Sequence, residues 1–424
     1  MTDVVVIGAG VAGLAAADAL TAGGVSVTVL EARDRIGGRV FTLRPPGVPV
    51  PIELGAEFVH GRVPETLGVA DQAALLLAAI EGRHWRAQPG SRGPADGAWE
   101  SIERVISQLD AQRTPDRTFE AFLAASNVAP DDAAASRQYV RGFDAADPSR
   151  VGERWLALTE EASERDDAAH QYRVVSGYDR VPQWLARRLA PDALRLGSPV
   201  ERIAWRQTRV TAHCAGGAIT QARTAIITVP LAILAADDGI VFDPPLGADK
   251  RSAIDNIATG SVVRLVVRFR EPFWEGMGLD RLGFLHTADP TVPIWWTSYP
   301  LRTPLLVGWV GGPTAAALAQ SDGETIADRA LDGLATQLDV ERRWLDALEV
   351  EHWYHDWEHD PYARGAYSYG LANAVDAPLA LGTPIDRTLF FAGEATDPDG
   401  RSGTVHGAIA SGRRAAEEVL AALG

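Results

Sequence analysis

The chain has 424 residues, enough for about two domains rather than one ordinary core. Apolar residues make up 46% and charged residues 23%, a soluble globular balance, and the net charge of −16 argues against nucleic acid or an anionic membrane surface as partner. No apolar run is long enough to span a bilayer, and the single cysteine, Cys214, excludes an internal disulfide. The acidity is compatible with a cationic ligand. The first apolar strand starts almost at once, with no signal-type segment before it, so a cytoplasmic protein is expected.

Val4-Val5-Val6-Ile7 is a short, wholly apolar run of the kind that forms a buried parallel strand. Gly8-Ala9-Gly10-Val11-Ala12-Gly13 follows directly. An Ala- and Leu-rich helix then runs to Leu20 and stops at Gly23-Gly24. A second apolar run, Val25 to Leu30, ends in Glu31. Each part of this strand, turn, helix, strand and acid has a mechanical reason. Gly8 permits the tight turn, Gly10 lets the backbone approach a pyrophosphate, and Gly13 lets the helix pack close to the strand. The helix N-terminus offers free N–H groups to phosphates, and Glu31 is placed to accept ribose hydroxyls and to repel a 2′-phosphate. The pattern predicts an α/β chain with a Rossmann-like domain, and Gly8, Gly10, Ala12, Gly13 and Glu31 in its dinucleotide site.

The next segment, Ala32-Arg33-Asp34-Arg35-Ile36-Gly37-Gly38-Arg39-Val40, supplies a second clasp. Its two glycines let the chain close over the pyrophosphate, and Arg33 and Arg39 bring forked donors to neutralise it. This E-A-R-x-R-x-G-G-R run resembles the signature of the flavin-containing amine oxidase superfamily. Glu53-Leu54-Gly55-Ala56-Glu57-Phe58-Val59-His60-Gly61 continues it and is similar to the stretch beneath the flavin ring in that group. The resemblance implies FAD and adds Ala32, Arg33, Gly38, Arg39, Gly55, Ala56 and Glu57 to the cofactor site. Glu57 and His60 are also candidates to bind or deprotonate a cationic substrate.

Residues 67–169 are expected to be helical with polar faces, broken near Pro89-Gly90, Pro130 and Pro148. Val174 opens a region of short strands: Pro199–Ile203, Arg209–Ala212 and Ala225–Pro230 read as a small sheet returning to the nucleotide fold. The resemblance sets the Val200 backbone against the adenine. Residues 241–348 mix strands with helices; Val262–Phe269 alternates as a strand and Leu305–Val310 is a buried one. Residues 67–169 and 241–348 are expected to join as a mixed α+β substrate domain. It is inserted in two pieces into an FAD-binding domain of residues 1–66, 170–240 and 349–424. Val350–Trp357 reads as a strand with His352 and His355 on opposite faces, so no metal site is expected there.

Trp357 to Tyr369 reads W-x-x-D-P-x-A-R-G-x-Y-S-Y and is closely similar to the polyamine oxidase and flavin-dependent lysine demethylase branch. The resemblance implies that Trp357 packs near the flavin and that Tyr367 forms one wall of an amine cage, where a tyrosine face attracts a cation. The opposite wall falls on Thr404, and Trp295, Trp296, Trp309 and Trp353 are the candidates for the missing face. Ala366 stands where the covalent members carry a cysteine, so FAD is expected to be non-covalent. Leu389–Glu394 reads as a strand ending in Gly-Glu, followed by Gly403-Thr404-Val405-His406-Gly407-Ala408 and a helix over Ile409–Leu423. By resemblance Gly393 and Glu394 contact the ribityl and phosphate region, and Thr404 and Val405 lie at the pyrimidine edge, where the helix dipole stabilises negative charge.

One departure concerns electron transfer. The family's oxidases hold a lysine near flavin N5, and that position falls on Arg264. The chain's single lysine, Lys250, lies before a helix-like segment. Arginine keeps the charge but is bulkier and never deprotonates, so fast reoxidation by O₂ is not implied: the chain reads as a dehydrogenase or an unusual oxidase, with O₂ or another electron acceptor. The expected activity is hydride transfer from a small mono- or polyamine to FAD, with Tyr367, Arg264, Trp357 and Thr404 as catalytic candidates. Alternatives are an L-amino acid oxidase, a biosynthetic desaturase or dehydrogenase not acting on amines, and a non-catalytic flavin-binding protein. The expected partner is a small-molecule substrate; a homodimer is compatible with the sequence.

Overall fold

The computed structural model describes residues 2–95 and 97–424. The strand Thr2–Ile7 lies inside an eight-stranded sheet, parallel to Val27–Leu30 on one side and Ile219–Ile227 on the other. Its apolar residues from Val4 onward are buried on both faces, as a central parallel strand demands. Ile219–Ile227 is long enough to serve two neighbours. Its first half pairs antiparallel with Arg209–Cys214, and its second half pairs parallel with Leu389–Phe391. Val200–Arg206 and Val241–Asp243 extend the edge beyond Arg209–Cys214. The helix Val11–Ala22 packs along the helix Val405–Leu423, with Leu14, Leu20, Ile409 and Val419 in one apolar core. Beginning, middle and end of the sequence thus build one layer. The last helix starts at Val405 rather than at the expected Ile409, because Thr404 caps it: Oγ1 accepts the Gly407 N–H at 2.9 Å.

A seven-stranded sheet forms the second layer, in the order Glu349–Tyr354, Val262–Phe269, Leu305–Gly311, Ile294–Thr297, Leu282–Thr287, Arg83–Gln88, Ser91–Pro94. Both inserted stretches meet here, since Arg83–Gln88 runs parallel beside Leu282–Thr287. This corrects the helical expectation for the early part of 67–169, where Leu77–Ala79, Arg83–Gln88 and Ser91–Pro94 are strands. Pro89-Gly90 is not a helix break but the two-residue turn of a hairpin in which Gln88 faces Ser91. The strand was hidden because Arg83-His84-Trp85-Arg86-Ala87-Gln88 fully buries Ala87 alone, so polar residues mask its period. The helices Ala98–Ile106, Phe119–Ala125, Pro130–Gly142 and Glu153–Arg165 follow. Val241–Asp243 still belongs to the first sheet and Glu349–Tyr354 to the second, so the chain crosses between sheets one strand later than expected on both occasions.

Lys250 lies inside the helix Ala248–Asp255 rather than before a helix. Its Nζ donates to the carbonyls of Ala380, Leu381 and Thr383 at 2.8, 2.7 and 2.6 Å, closing the end of the helix Ala377–Gly382. Burial lowers its pKa to about 8. A compact ammonium with three donors suits three carbonyls, which a planar guanidinium does not match. The clustered histidines each hold a different carboxylate: His352 Nδ1 meets Glu349, His355 Nε2 meets Asp360, and His359 Nδ1 meets Asp356.

Candidate active site

One cavity of about 1840 Å³ runs between the two sheets. Every residue nominated for the cofactor site or for catalysis lines it, Gly13 excepted; of the four candidate tryptophans only two do. At one end stands the turn after Thr2–Ile7. A Cβ at Gly10 would meet no atom within 4 Å and would project into open space, whereas a Cβ at Gly13 would lie 2.1 Å from the Gly8 carbonyl oxygen. Gly10 therefore leaves a cradle, and Gly13 lets the helix Val11–Ala22 seat on the strand. Glu31, 4% exposed, closes the turn: its carboxylate accepts the Ala9 N–H at 2.7 Å and the Arg33 N–H at 2.9 Å. A carboxylate offers about four acceptor positions, so capacity for a hydroxyl ligand is left. An open backbone cradle at a helix N-terminus beside an acid fits the diphosphate and ribose of a dinucleotide. Ala12, Ala32 and Val200 line the same end, and Gly38 closes it with its Cα region against Gly10.

The expected clasp of Arg33 and Arg39 is built differently from the sequence reading. Arg33 pairs with Asp360 at 2.5 Å, and Arg39 pairs with Glu394 at 2.9 Å while donating to the Ala366 carbonyl. Each guanidinium already has a carboxylate, so these arginines order the walls as well as charge them. Burial raises Asp360, but His355 and Arg33 outweigh it and hold the carboxyl far below its usual range. Glu394 knits three segments, because it also accepts the Ser368 hydroxyl at 2.5 Å and the Gly403 N–H at 2.8 Å. Gly393 and Val405 line the cavity beside it. Thr404, nominated as a wall, faces this region as the helix cap just described, with its hydroxyl also donating to the Arg401 carbonyl at 2.6 Å.

The middle of the cavity is floored by Gly55 and Ala56. Trp357 is 4% exposed and donates Nε1–H to the Leu54 carbonyl at 2.8 Å. A Cβ on Gly55 would fall 3.2 Å from the Trp357 ring, so ring and backbone touch. Glu57 is not free to act as a base. Its carboxylate accepts from both Arg173 and Arg264, and from Trp296 Nε1 at 3.0 Å. Burial alone would raise it, but the two guanidinium groups prevail and hold it at about 2. Arg264 is itself buried, with Nε donating to the Glu53 carbonyl at 2.7 Å and the guanidinium over the Trp296 ring at 5.2 Å. Arg173 is the member of this cluster that sequence reasoning missed; it lies in the strand Gln171–Val174 with no motif around it.

Glu53, next to this cluster, behaves in the opposite way. Burial raises it to about 7 against the lowering effect of hydrogen bonds from Thr42 and the Tyr178 N–H. A carboxyl that holds its proton more tightly folded than unfolded weakens the fold as pH climbs from 4.5 to about 7. The difference in urea stability between wild type and Glu53→Gln should therefore widen over that window, to at most about 3 kcal/mol. A pH-independent difference would exclude Glu53 as the source.

The far end is aromatic. The Tyr367 hydroxyl donates to the Phe143 carbonyl at 2.6 Å, and burial pushes its pKa well up, so the phenol stays neutral. Of the four tryptophans considered for a second wall, Trp296 and Trp309 line the cavity. Their ring centroids are 5.7 Å apart, and Trp309 Nε1 donates to the Gly142 carbonyl at 2.7 Å. Trp295 is fully buried in the core of the second layer, and Trp353 packs by Arg268. His60 lies here with Nδ1 buried and unpartnered, and burial holds its pKa at about 4. It is neutral at pH 7 and adds no positive charge. Tyr139, Phe143, Asp144 and Glu160 also line this end; they come from the helix Pro130–Gly142, the turn after it and the helix Glu153–Arg165. Their sequence carried no motif, only the acid and aromatic content of amphipathic helices.

A dinucleotide cradle joined to an aromatic chamber is the arrangement expected of a nucleotide-cofactor oxidoreductase. The chain belongs to the flavin containing amine oxidoreductase family, whose profile matches residues 11–88 and 105–420. It is 29% identical to polyamine oxidase 4 of Oryza sativa subsp. japonica, over 98% of this chain and 88% of that one. It is 26% identical to the flavin-containing amine oxidase B of Homo sapiens, over 100% and 86%. Its fold matches that of putrescine oxidase bound to putrescine with a TM-score of 0.84, at 23% identity over 99% of both chains. Cyclohexylamine oxidase from Brevibacterium oxydans matches with a TM-score of 0.84, at 22% identity over 100% of this chain and 99% of that one.

Proposed function

We propose that the chain binds FAD non-covalently and oxidises the carbon next to the nitrogen of a small amine. The observation that carries this reading is the continuity of one cavity from the Gly10 and Glu31 cradle to the Tyr367 and Trp309 chamber. A bound flavin supplies the two-electron acceptor for hydride from the substrate. The chain's own residues position and insulate. Glu31 and the backbone around Gly10 hold the nucleotide end, and the Val405–Leu423 helix turns its N-terminus to the cavity, favouring negative charge there. Tyr367 and Trp309, each fixed by a hydrogen bond to the backbone, give an amine two aromatic faces. His60 stays neutral and Glu57 is held ionised by two guanidinium groups, so neither takes a proton from the substrate, whose nitrogen is expected to arrive neutral. Non-covalent attachment is supported by Cys214, which lies on a strand of the first sheet away from the cavity.

Arg264 is the position at which reaction with oxygen is decided. Its guanidinium is tied to Glu57, the Glu53 carbonyl and the Trp296 face and never deprotonates, so it does not reproduce a compact, titratable lysine there, and reoxidation in air is expected to be slow. The test is anaerobic bleaching of the yellow holoprotein by monoamines, diamines and L-amino acids, followed by air. Bleaching by amines supports the reading, and slow return of colour supports the role given to Arg264. Bleaching by L-amino acids alone would refute amine oxidation.

A further inference from the structure

Four buried carboxylates elsewhere around the cavity have their partners: Glu57 has Arg173 and Arg264, Asp360 has Arg33, Glu394 has Arg39, and Glu31 has the Ala9 and Arg33 N–H groups. Asp144 and Glu160 line the same cavity at the Tyr367 end. Among the described residues neither has an arginine, lysine or histidine nitrogen within 4.0 Å. Asp144 Oδ2 is buried and has no hydrogen-bond partner. Glu160 accepts from the Tyr139 hydroxyl at 2.9 Å. Tyr139 stacks on Phe143 with the rings 9° apart in plane and 5.2 Å between centroids, and the Phe143 carbonyl holds Tyr367. The two acids and the two tyrosines therefore share one chamber. Burial pushes both carboxyls up, and Glu160 adds to the rise at Asp144, as expected of acids that no protein cation compensates. Leaving a carboxylate buried without a partner is costly, and a ligand cation removes the cost.

We propose that Asp144 and Glu160 form a distal cation subsite, and that the preferred substrate carries a second, protonated nitrogen: a diamine or longer polyamine rather than a monoamine. The proposal rests on the amine-oxidising reading. Family membership leaves the number of charges on the substrate open, and these two acids decide it. The near nitrogen is neutral for oxidation at the Tyr367 and Trp309 faces, and the far ammonium donates to the carboxylates.

The test is anaerobic stopped-flow reduction of the holoenzyme by putrescine and by n-butylamine, which differ in the second ammonium. Wild type should show an apparent dissociation constant roughly 10- to 100-fold lower for the diamine. Asp144→Asn and Glu160→Gln should each shrink that ratio, acting on the dissociation constant more than on the limiting rate. Asp144→Glu should largely keep it. The bound-flavin spectrum reports that each variant is folded, and either neutral variant suffices if the other is not. Equal affinity of wild type for both amines, or an equal shift for both in the neutral variants, would overturn the subsite alone. Reduction by neither amine would overturn amine oxidation and the subsite together.

Discussion

Replacing Glu57 by alanine is expected to destabilise the protein by about 3–5 kcal/mol, the range for removing one partner of a buried ion pair. Arg173 and Arg264 would both be left charged in an interior where Glu57 is their shared acid, and Trp296 Nε1 would lose its acceptor. The cost arises from the abandoned arginines, not from the lost attraction as such. Glu57→Gln keeps an acceptor oxygen but not the charge, and should fall between alanine and wild type. Urea unfolding of the three proteins measures this. A loss below about 1 kcal/mol for alanine, the level of an exposed pair, would mean that the arginines are not desolvated as described.

The second large effect separates holding a cofactor from holding the fold. Gly10→Val puts a side chain into the open cradle, where its Cβ meets nothing within 4 Å. Gly10 has φ −68, which any residue adopts. The variant should fold, purify colourless and bind its flavin roughly 100-fold more weakly or worse. Gly13→Ala behaves otherwise, because its Cβ would sit 2.1 Å from the Gly8 oxygen and must push the helix off the strand. It should lose flavin and stability together. The ratio of flavin to protein absorbance, read beside thermal unfolding, tells the cases apart. A Gly10→Val protein that purifies yellow with ordinary affinity would place the nucleotide elsewhere.

Much of the nucleotide end was legible because its constraints are local. The glycine turn, the acid at the end of the second strand and the short apolar strands are each set by backbone sterics over a few residues, and the structure forms them at Thr2–Ile7, Val11–Ala22 and Val27–Leu30. The charge pairing was not legible. Arg33 finds Asp360 and Arg39 finds Glu394 across most of the sequence, and no spacing encodes such encounters. Glu57 looked like a free acid because Arg173 and Arg264 reach it from two other strands. The hairpin Arg83–Pro94 was missed because its faces are mostly wet, so polar residues at alternate positions left no period to read. Trp309 emerged from four candidate tryptophans only when the register of Leu305–Gly311 fixed which face it takes: it pairs with Arg264, which also lines the cavity.

The way Ile219–Ile227 accepts Leu389–Phe391 has a consequence for how the protein is made. During synthesis the strand, turn and helix at the start appear first, but the layer they belong to stays open until the residues around Phe391 arrive and Val405–Leu423 settles on Val11–Ala22. Contacts so distant along the chain are slow to form, because loop closure precedes any gain from packing. Until then the nascent chain displays an unpaired strand flank and an uncovered apolar helix face, both prone to association. Capture of the cofactor is therefore expected late in assembly, and expression yield should depend on chaperone and flavin supply.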